Sequence, residues 1–158
     1  MLGLSYKSAW FMSHRIRLAM DRGSFNAKLD GVVEADETNV GSKAKGARGR
    51  STKKKTPVFT LDQRGGDVRS RVVERVTAKS LKGAIREDVD PEARVMTDGF
   101  SSYHGLDKEF AEHGVINHLE GIYAEGDIHT NTVESYFSLL KRGIIGAFHH
   151  VSKQHLHR

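Results

Sequence analysis

The stretch Leu29-Asp-Gly-Val-Val-Glu-Ala-Asp-Glu-Thr38 decides how this chain folds. Its first half, residues 29–33, is apolar and β-branched, which predicts a buried strand. Acidic side chains follow along and just beyond that strand, and such groups need a specific reason because burying them is costly. Asp36 is therefore the first candidate functional residue.

Downstream apolar runs complete a sheet around this strand. They lie at residues 56–61, 68–76, 93–96 and 115–118, with a short helix at 80–87. Gly65 and Gly66 supply a hairpin turn between the first two runs. The helix lets the fourth strand lie parallel to the first, whereas the first three strands are antiparallel. The sequence thus predicts an α/β fold with a mixed five-stranded sheet flanked by helices.

A second acid, Asp98, follows the fourth strand in Thr97-Asp-Gly99, at the same end of the sheet as Asp36. A longer helix is predicted from Asn131 or Thr132 to Arg142, with Gly143 ending it. Its core-facing stripe consists of Val133, Phe137, Leu140 and Ile144. Its adjacent polar face consists of Asn131, Glu134, Ser138 and Lys141. Glu134 is therefore expected to overlook the sheet edge that carries the two aspartates.

An N-terminal basic amphipathic helix is predicted over residues 6–20, started by Ser5 or Ser8 and stopped by Gly23. Two interpretations of this helix stay open. It is either the last helix of a helix-turn-helix domain or a helix packed on the core.

Composition limits the class of protein. The 158 residues suit one domain, and no apolar run approaches the roughly 20 residues that cross a bilayer, so no membrane association is expected. Residues 1–15 lack the pattern of a secretory signal, which predicts a cytoplasmic location. The chain has no cysteine, which excludes disulfides and thiolate zinc sites. An essential metal is therefore expected to prefer oxygen ligands.

The charge favours a polyanionic partner. The net charge is +5, and one segment concentrates basic side chains without any acidic residue. Its basic residues are Lys43, Lys45, Arg48, Arg50, Lys53, Lys54 and Lys55. We interpret it as a basic loop that binds nucleic acid, and a solvated charge run without a partner is the alternative.

Asp36, Asp98 and Glu134 form a candidate site for divalent cations. Mg²⁺ and Mn²⁺ prefer carboxylate oxygens and keep positions open for water and phosphate oxygens. Two such ions about 3.5–4 Å apart can bind the attacking and leaving oxygens of an in-line displacement at phosphorus, with Asp36 bridging them. A chance trio is the alternative, since the chain holds 20 acidic residues.

Several motifs carry a resemblance over nearly the whole chain. They are Gly31-Val-Val-Glu-Ala-Asp-Glu-Thr38, Thr97-Asp-Gly-Phe-Ser-Ser-Tyr103, His129-Thr-Asn-Thr-Val-Glu-Ser135, Leu139-Leu-Lys-Arg-Gly143 and His149-His-Val-Ser152. Together they resemble the DDE transposases of the insertion-sequence 1595 family. The 35 residues between Asp98 and Glu134, and a lysine seven positions after Glu134, also fit that class.

The resemblance implies a ribonuclease H-like fold and metal-dependent cleavage and strand transfer of double-stranded DNA, both transposon ends and target. It implies two Mg²⁺ or Mn²⁺ ions and a homo-oligomer assembled on DNA. Asp36 and Asp98 match the first two catalytic acids of the family, and Lys141 matches a downstream lysine that, with Arg142 beside it, is expected to hold DNA phosphate. Family members have either Glu or Asn as the third ligand.

Glu134 and Asn131 are thus both candidates for the third ligand, and charge and spacing favour Glu134. His129, just before the site helix, either orients a ligand or phosphate or has a structural role. Residues 1–24 are expected to be the end of a DNA-binding region and residues 25–158 the catalytic domain, truncated at its C-terminus. Two alternative functions stay open: a remnant that only binds DNA, and a ribonuclease H-like nuclease that cuts without joining.

Overall fold

The computed structural model describes residues 3–21, 27–41, 55–117, 121 and 124–156. Its main elements are α1 (Tyr6–Asp21), β1 (Val32–Val40), β2 (Thr56–Gln63), β3 (Val68–Val72), α2 (Ala78–Asp88), β4 (Arg94–Asp98), β5 (Glu112–Ile116) and α3 (Asn131–Gly143). Short 3₁₀ helices occupy Ser101–Tyr103, Leu106–Lys108 and Lys153–His155, and a π-helix over Ile144–Phe148 continues α3. No helix within these ranges is long and apolar enough to span a membrane.

The five strands form one mixed sheet in the order β3-β2-β1-β4-β5. The pairs β1–β2 and β2–β3 are antiparallel, whereas β1–β4 and β4–β5 are parallel. Because β4 runs parallel to β1, it needs a long connection, and α2 supplies it. The predicted α/β fold class with a mixed five-stranded sheet is confirmed, β1 lies at the centre of the sheet, and the topology is consistent with a ribonuclease H-like fold.

Alternation along β1 gives the sheet two different faces. Val33 and Ala35 point into the main hydrophobic core, where Leu81 of α2 is fully buried. Burying a leucine-sized side chain contributes about 1.5–3 kcal/mol, so this face is the main source of hydrophobic stabilisation. Glu34 and Asp36 point to the opposite face, which α3 covers.

The helix α2 begins with a capping box. The Thr77 hydroxyl accepts a hydrogen bond from the Ser80 amide (3.2 Å), and the Ser80 hydroxyl accepts one from the Thr77 amide (3.1 Å). Ser80 is therefore the third residue of the helix, whereas the sequence had suggested that it is the first.

The first strand is longer than predicted. The sequence indicated a strand over residues 29–33, whereas β1 spans Val32–Val40 and carries Asp36 in its middle. Strand pairing continues through the polar residues because β2 pairs with β1 as far as Val40, so backbone groups find partners there, whereas the pairing with β4 ends at Ala35. Leu29 forms only an isolated bridge with Val89.

Two later strands also differ from prediction. The strand β5 starts at Glu112, three residues early, because its register with β4 places Glu112 opposite Arg94, whose Nε lies 2.5 Å from Glu112 Oε2. Gly114 in this strand lies opposite Met96, whose side chain fills the space that a larger residue would need. The strand β3 ends at Val72 and not at residue 76.

The helix α3 begins at Asn131, as predicted, but Gly143 does not end the helical conformation. The π-helix follows directly, and His149, with a φ of 56°, ends it. Of the predicted core stripe, Val133 and Phe137 are buried, whereas Leu140 and Ile144 are only half-buried.

The helix α1 is confirmed, and the Ser5 hydroxyl accepts a hydrogen bond from the Ser8 amide at its start (3.2 Å). Its Trp10 and Phe11 are more than half exposed, at 57% and 58%. The Arg17 guanidinium lies 5.2 Å from the ring centroid of Phe148 near the end of the chain. The helix is therefore not packed on the sheet core, and its assignment to a helix-turn-helix domain stays a prediction.

Candidate active site

Asp36 and Asp98 lie side by side on neighbouring parallel strands. The register pairs Ala35 of β1 with Thr97 of β4, so the next residue on each strand is an aspartate on the α3 side of the sheet. Each carboxylate accepts a local backbone hydrogen bond, Asp36 Oδ1 from the Glu37 amide (2.7 Å) and Asp98 Oδ1 from the Phe100 amide (3.0 Å). The structure thus brings the first two predicted site residues together.

Glu134 joins them from the first turn of α3. The Thr130 hydroxyl donates to Glu134 Oε1 at 3.2 Å. The pKa of Asp36 is raised to about 8, mainly because burial removes water from its carboxylate. The negative charges of Glu37, Asp98 and Glu134 raise it further, against the lowering effect of the Glu37 amide. The charge of Glu134 therefore reaches the carboxylate of Asp36.

This donor set fits a divalent cation chemically. Hard carboxylate oxygens are the ligands that Mg²⁺ and Mn²⁺ prefer, and a cation between them would offset the burial and the repulsion that raise the pKa of Asp36. Within the described residues, however, no three Asp, Glu or His side chains are already arranged to enclose an ion. Asp98 and Glu134 are close enough to act on Asp36 by charge, but the three carboxylates do not form a preformed coordination shell.

Asn131, the other candidate for the third ligand, is the exposed first residue of α3. Its backbone amide donates to His129 Nδ1 at 3.4 Å. Asn131 is neutral and cannot act on Asp36 by charge, as Glu134 does. The electrostatics of the site therefore favour Glu134.

Lys141 lies seven residues after Glu134, on the same side of α3. Its Nζ is 5.9 Å from the ring centroid of Phe137. It lines a pocket of about 460 Å³ together with Lys55, His149 and His150, and none of the lining residues is acidic. The end of β1 also borders this pocket, which places positive charge further along the strand that carries Asp36.

Of the remaining predicted DNA-binding residues, Arg142 and Lys55 lie within the described part of the chain. Arg142 is exposed on the last turn of α3. Lys55, which directly precedes β2, is half-buried. The other basic residues of the predicted loop, which lie outside the described residues, are Lys43, Lys45, Arg48, Arg50, Lys53 and Lys54.

Glu34 is a functional candidate that the sequence did not single out. Its side chain is fully buried, with 0% exposed. Oε2 accepts hydrogen bonds from the backbone amides of Thr132 (2.8 Å) and Val133 (3.0 Å), and Oε1 accepts one from the Thr132 hydroxyl (2.8 Å). The first amides of a helix lack partners within it, and a carboxylate also complements the positive end of the helix dipole. A side chain of β1 therefore caps α3.

Arg64 and His129 complete the network around Glu34. Arg64 Nε donates to Glu34 Oε1 at 2.6 Å, and Arg64 Nη2 donates to the His129 carbonyl oxygen at 3.0 Å. His129 Nδ1 lies 3.1 Å from Glu34 Oε1. His129 thus has the structural role that was one of its two predicted interpretations. The available signal in the sequence was the position of Glu34, an acid two residues before Asp36 and between buried apolar residues.

On the opposite face of β1, Glu37 ties the strand to the loop that follows Asp98. The buried Tyr103 hydroxyl donates to Glu37 Oε2 at 2.6 Å. Burial raises the pKa of Glu37, the Tyr103 hydrogen bond lowers it, and the charge of Asp98 raises it. Glu37 thereby links β1 to the chain segment that positions Asp98.

We expect Asp36→Asn to stabilise the metal-free protein, increasingly so as the pH rises from about 4 to about 8. The pKa of Asp36 rises from 3.8 to about 8 on folding, so the folded protein holds a proton that the unfolded chain releases in this window. The free energy of unfolding of the wild type must therefore fall as the pH rises. At pH 8 we expect a difference of about 2 kcal/mol or more in favour of the variant.

Urea unfolding in the presence of a chelator, from pH 4 to pH 8, measures this difference. Asp127→Asn is the matched control. The hydrogen bond from Arg94 lowers the pKa of Asp127, so this substitution is expected to destabilise the protein, whereas Asp36→Asn stabilises it. If the free energy of unfolding has the same pH dependence in the wild type and in Asp36→Asn, the pKa of Asp36 is not raised on folding and the prediction is wrong.

Comparison with known proteins places this architecture in a family. The ISXO2-like transposase domain matches residues 28–158, and the chain belongs to this transposase family, as the motifs predicted. An uncharacterized protein in transposable element ISH50 of Halobacterium salinarum is 33% identical over 159 residues, which cover 89% of this chain and 53% of that protein. The chain therefore spans about half the length of this relative.

Among solved structures, one chain of the simian T-cell lymphotropic virus intasome in complex with PP2A regulatory subunit B56 gamma is similar at 14% identity and a TM-score of 0.39. The similarity covers 92% of this chain and 53% of that one.

Proposed function

We propose that this chain is the catalytic domain of a DNA transposase that cleaves phosphodiester bonds and joins DNA strands with Mg²⁺ or Mn²⁺. The observation that carries the proposal is the convergence of Asp36, Asp98 and Glu134, whose mutual repulsion contributes to the raised pKa of Asp36. Asp36 and Asp98 are half-buried and Glu134 is exposed beside them. Acids collected in this way disfavour folding unless they have a task, and they repel DNA phosphate unless a cation intervenes.

Asp36, Asp98 and Glu134 would hold two ions, which would activate a water or 3′-hydroxyl for attack and stabilise the departing 3′-oxygen. The chain itself orients these ligands. The amides of Glu37 and Phe100 fix the two aspartates, and the Thr130 hydroxyl fixes Glu134. We propose Glu134 and not Asn131 as the third ligand, because its charge acts on Asp36.

Double-stranded DNA is the proposed partner, both transposon ends and target. Lys141 and Lys55 line a pocket without acidic residues, which suits a phosphate of the DNA backbone. Arg142 and the basic residues from Lys43 to Lys54 would extend this contact, and affinity should fall with salt. Family membership supports assembly as a homo-oligomer on DNA, in the nucleoid of the cytoplasm.

A strand-transfer assay with the element's own end sequences tests this function. Cleavage and joining of a 3′-hydroxyl to target DNA with Mg²⁺ or Mn²⁺, lost on adding a chelator, would support it. Cleavage without joining would identify a nuclease instead, and DNA binding without either reaction would identify a binding remnant. In the same assay, Glu134→Gln is expected to lose both reactions and Asn131→Ala to retain them. The reverse outcome would make Asn131 the ligand.

A further inference from the structure

We propose that Glu34, together with Arg64 and His129, is a positioning residue for the metal site. It holds the first turn of α3, which carries Glu134, against the strand that carries Asp36. The inference rests on the proposed function, because the task assigned to Glu134 is to bind a cation.

Glu34 is itself unsuited to be a ligand, although it is only two residues from Asp36. Its Oε1 accepts hydrogen bonds from Arg64 Nε (2.6 Å) and the Thr132 hydroxyl (2.8 Å), and His129 Nδ1 is 3.1 Å away. Its Oε2 accepts from two amides of α3. A carboxylate offers about four acceptor positions, so both oxygens are fully used by the protein.

The bonds of Glu34 act directly next to Glu134. They end on the amides of Thr132 and Val133, and Val133 is the residue before Glu134. Backbone hydrogen bonds hold the turns of a helix together. A shift of the first turn therefore moves Glu134 by a similar amount. Strand β1 carries both Asp36 and Glu34, so a single side chain sets the position of the third acid relative to the first.

Arg64 adds a second connection to the same turn. Its Nη1 and Nη2 donate to the carbonyl oxygens of Asp127 (2.8 Å) and His129 (3.0 Å), in the segment that leads into α3. The side chain of Arg64 is 21% exposed, and it neutralises the buried charge of Glu34. Arg64 therefore fixes the entry of α3 from outside, while Glu34 fixes its amides from the sheet.

Glu34→Gln tests the proposal because it keeps the size and removes the charge. We expect faster amide hydrogen exchange at residues 132–135 and a Kd for Mn²⁺ that rises about 10-fold or more, the usual effect of removing a partner that orients a ligand. Arg64→Gln, at a less buried position, should act in the same direction and serves if Glu34→Gln does not fold.

Arg69→Gln is the matched control. It removes a comparably buried ion pair, Arg69 Nη1 with Asp88 Oδ1 at 3.1 Å, on the α2 side of the sheet. We expect it to lower global stability in urea but to leave the Kd for Mn²⁺ unchanged. A similar loss of Mn²⁺ affinity in this control would reduce Glu34 to a general contributor to stability and overturn the proposal.

A double-mutant cycle with Glu134→Gln separates the possible outcomes. If Glu34 acts through Glu134, then Glu34→Gln weakens Mn²⁺ binding in the wild type but has no further effect in the Glu134→Gln protein. Additive losses, or an unchanged Kd in folded Glu34→Gln, would overturn the positioning role alone. An unchanged Kd in Glu134→Gln would instead overturn the proposed metal site, and the positioning role with it.

Discussion

Asp98→Asn is expected to reduce DNA cleavage and joining at least about 10³-fold, because a lost stabilisation of about 4 kcal/mol corresponds to that factor and a bound metal supplies several kcal/mol. The amide has nearly the size of the carboxylate and still accepts the hydrogen bond that Asp98 Oδ1 receives from the Phe100 amide. Fold and DNA affinity should therefore stay the same. The strand-transfer assay measures both steps, and a DNA-binding assay under the same conditions measures affinity.

Asp107→Asn is the control for this substitution, since Asp107 is exposed in the 3₁₀ helix Leu106–Lys108 and takes no part in the site. It should retain the wild-type rates. Wild-type rates in Asp98→Asn would remove Asp98 from the metal site, whereas loss of DNA affinity would show that the substitution disturbs more than a ligand.

Glu34→Ala is expected to lower the free energy of unfolding by about 3–5 kcal/mol, the usual cost of removing one partner from a buried ion pair. The substitution leaves the Arg64 guanidinium and the amides of Thr132 and Val133 without their acceptor. Groups of this kind are costly when buried because water cannot replace the lost partner. Urea unfolding of the metal-free protein measures the loss.

Glu112→Ala is the comparison for Glu34→Ala. Glu112 also pairs with an arginine, Arg94, but its side chain is 43% exposed. Exposed pairs contribute about 0–1 kcal/mol, so this variant should remain close to the wild type. Equal losses in the two variants would contradict the special role of the buried carboxylate.

The sequence predicted the order of strands and helices because apolar periodicity and glycine turns are local signals. The crossover helix then made β4 parallel to β1, which placed Asp36 near Asp98. The length of β1 could not be predicted in this way. Its polar second half remains a strand because β2 supplies backbone partners as far as Val40, and those partners are known only once the sheet is assembled.

The network around Glu34 was beyond sequence reasoning for a similar reason. Glu34 and Thr132 are 98 residues apart, and no local pattern links a strand acid to the first turn of so distant a helix. The pocket beside Lys141 could not be predicted from the sequence either. His149 and His150 reach it after the π-helix, where the positive φ of His149 redirects the chain, whereas the sequence predicted that Gly143 would end the helix.

Because Glu34 and Asp36 lie on one face of β1, the site can form only when β1 has its native register in the sheet. Slipping β1 by one residue against its neighbours would turn both side chains to the α2 side. The incoming α3 would then meet apolar residues where it needs an acceptor for its amides. With the wrong strand register the sheet offers no acceptor to the first turn of α3, and Asp36 faces away from Glu134. Only molecules with the native register of β1 therefore acquire both the docked α3 and the candidate metal site.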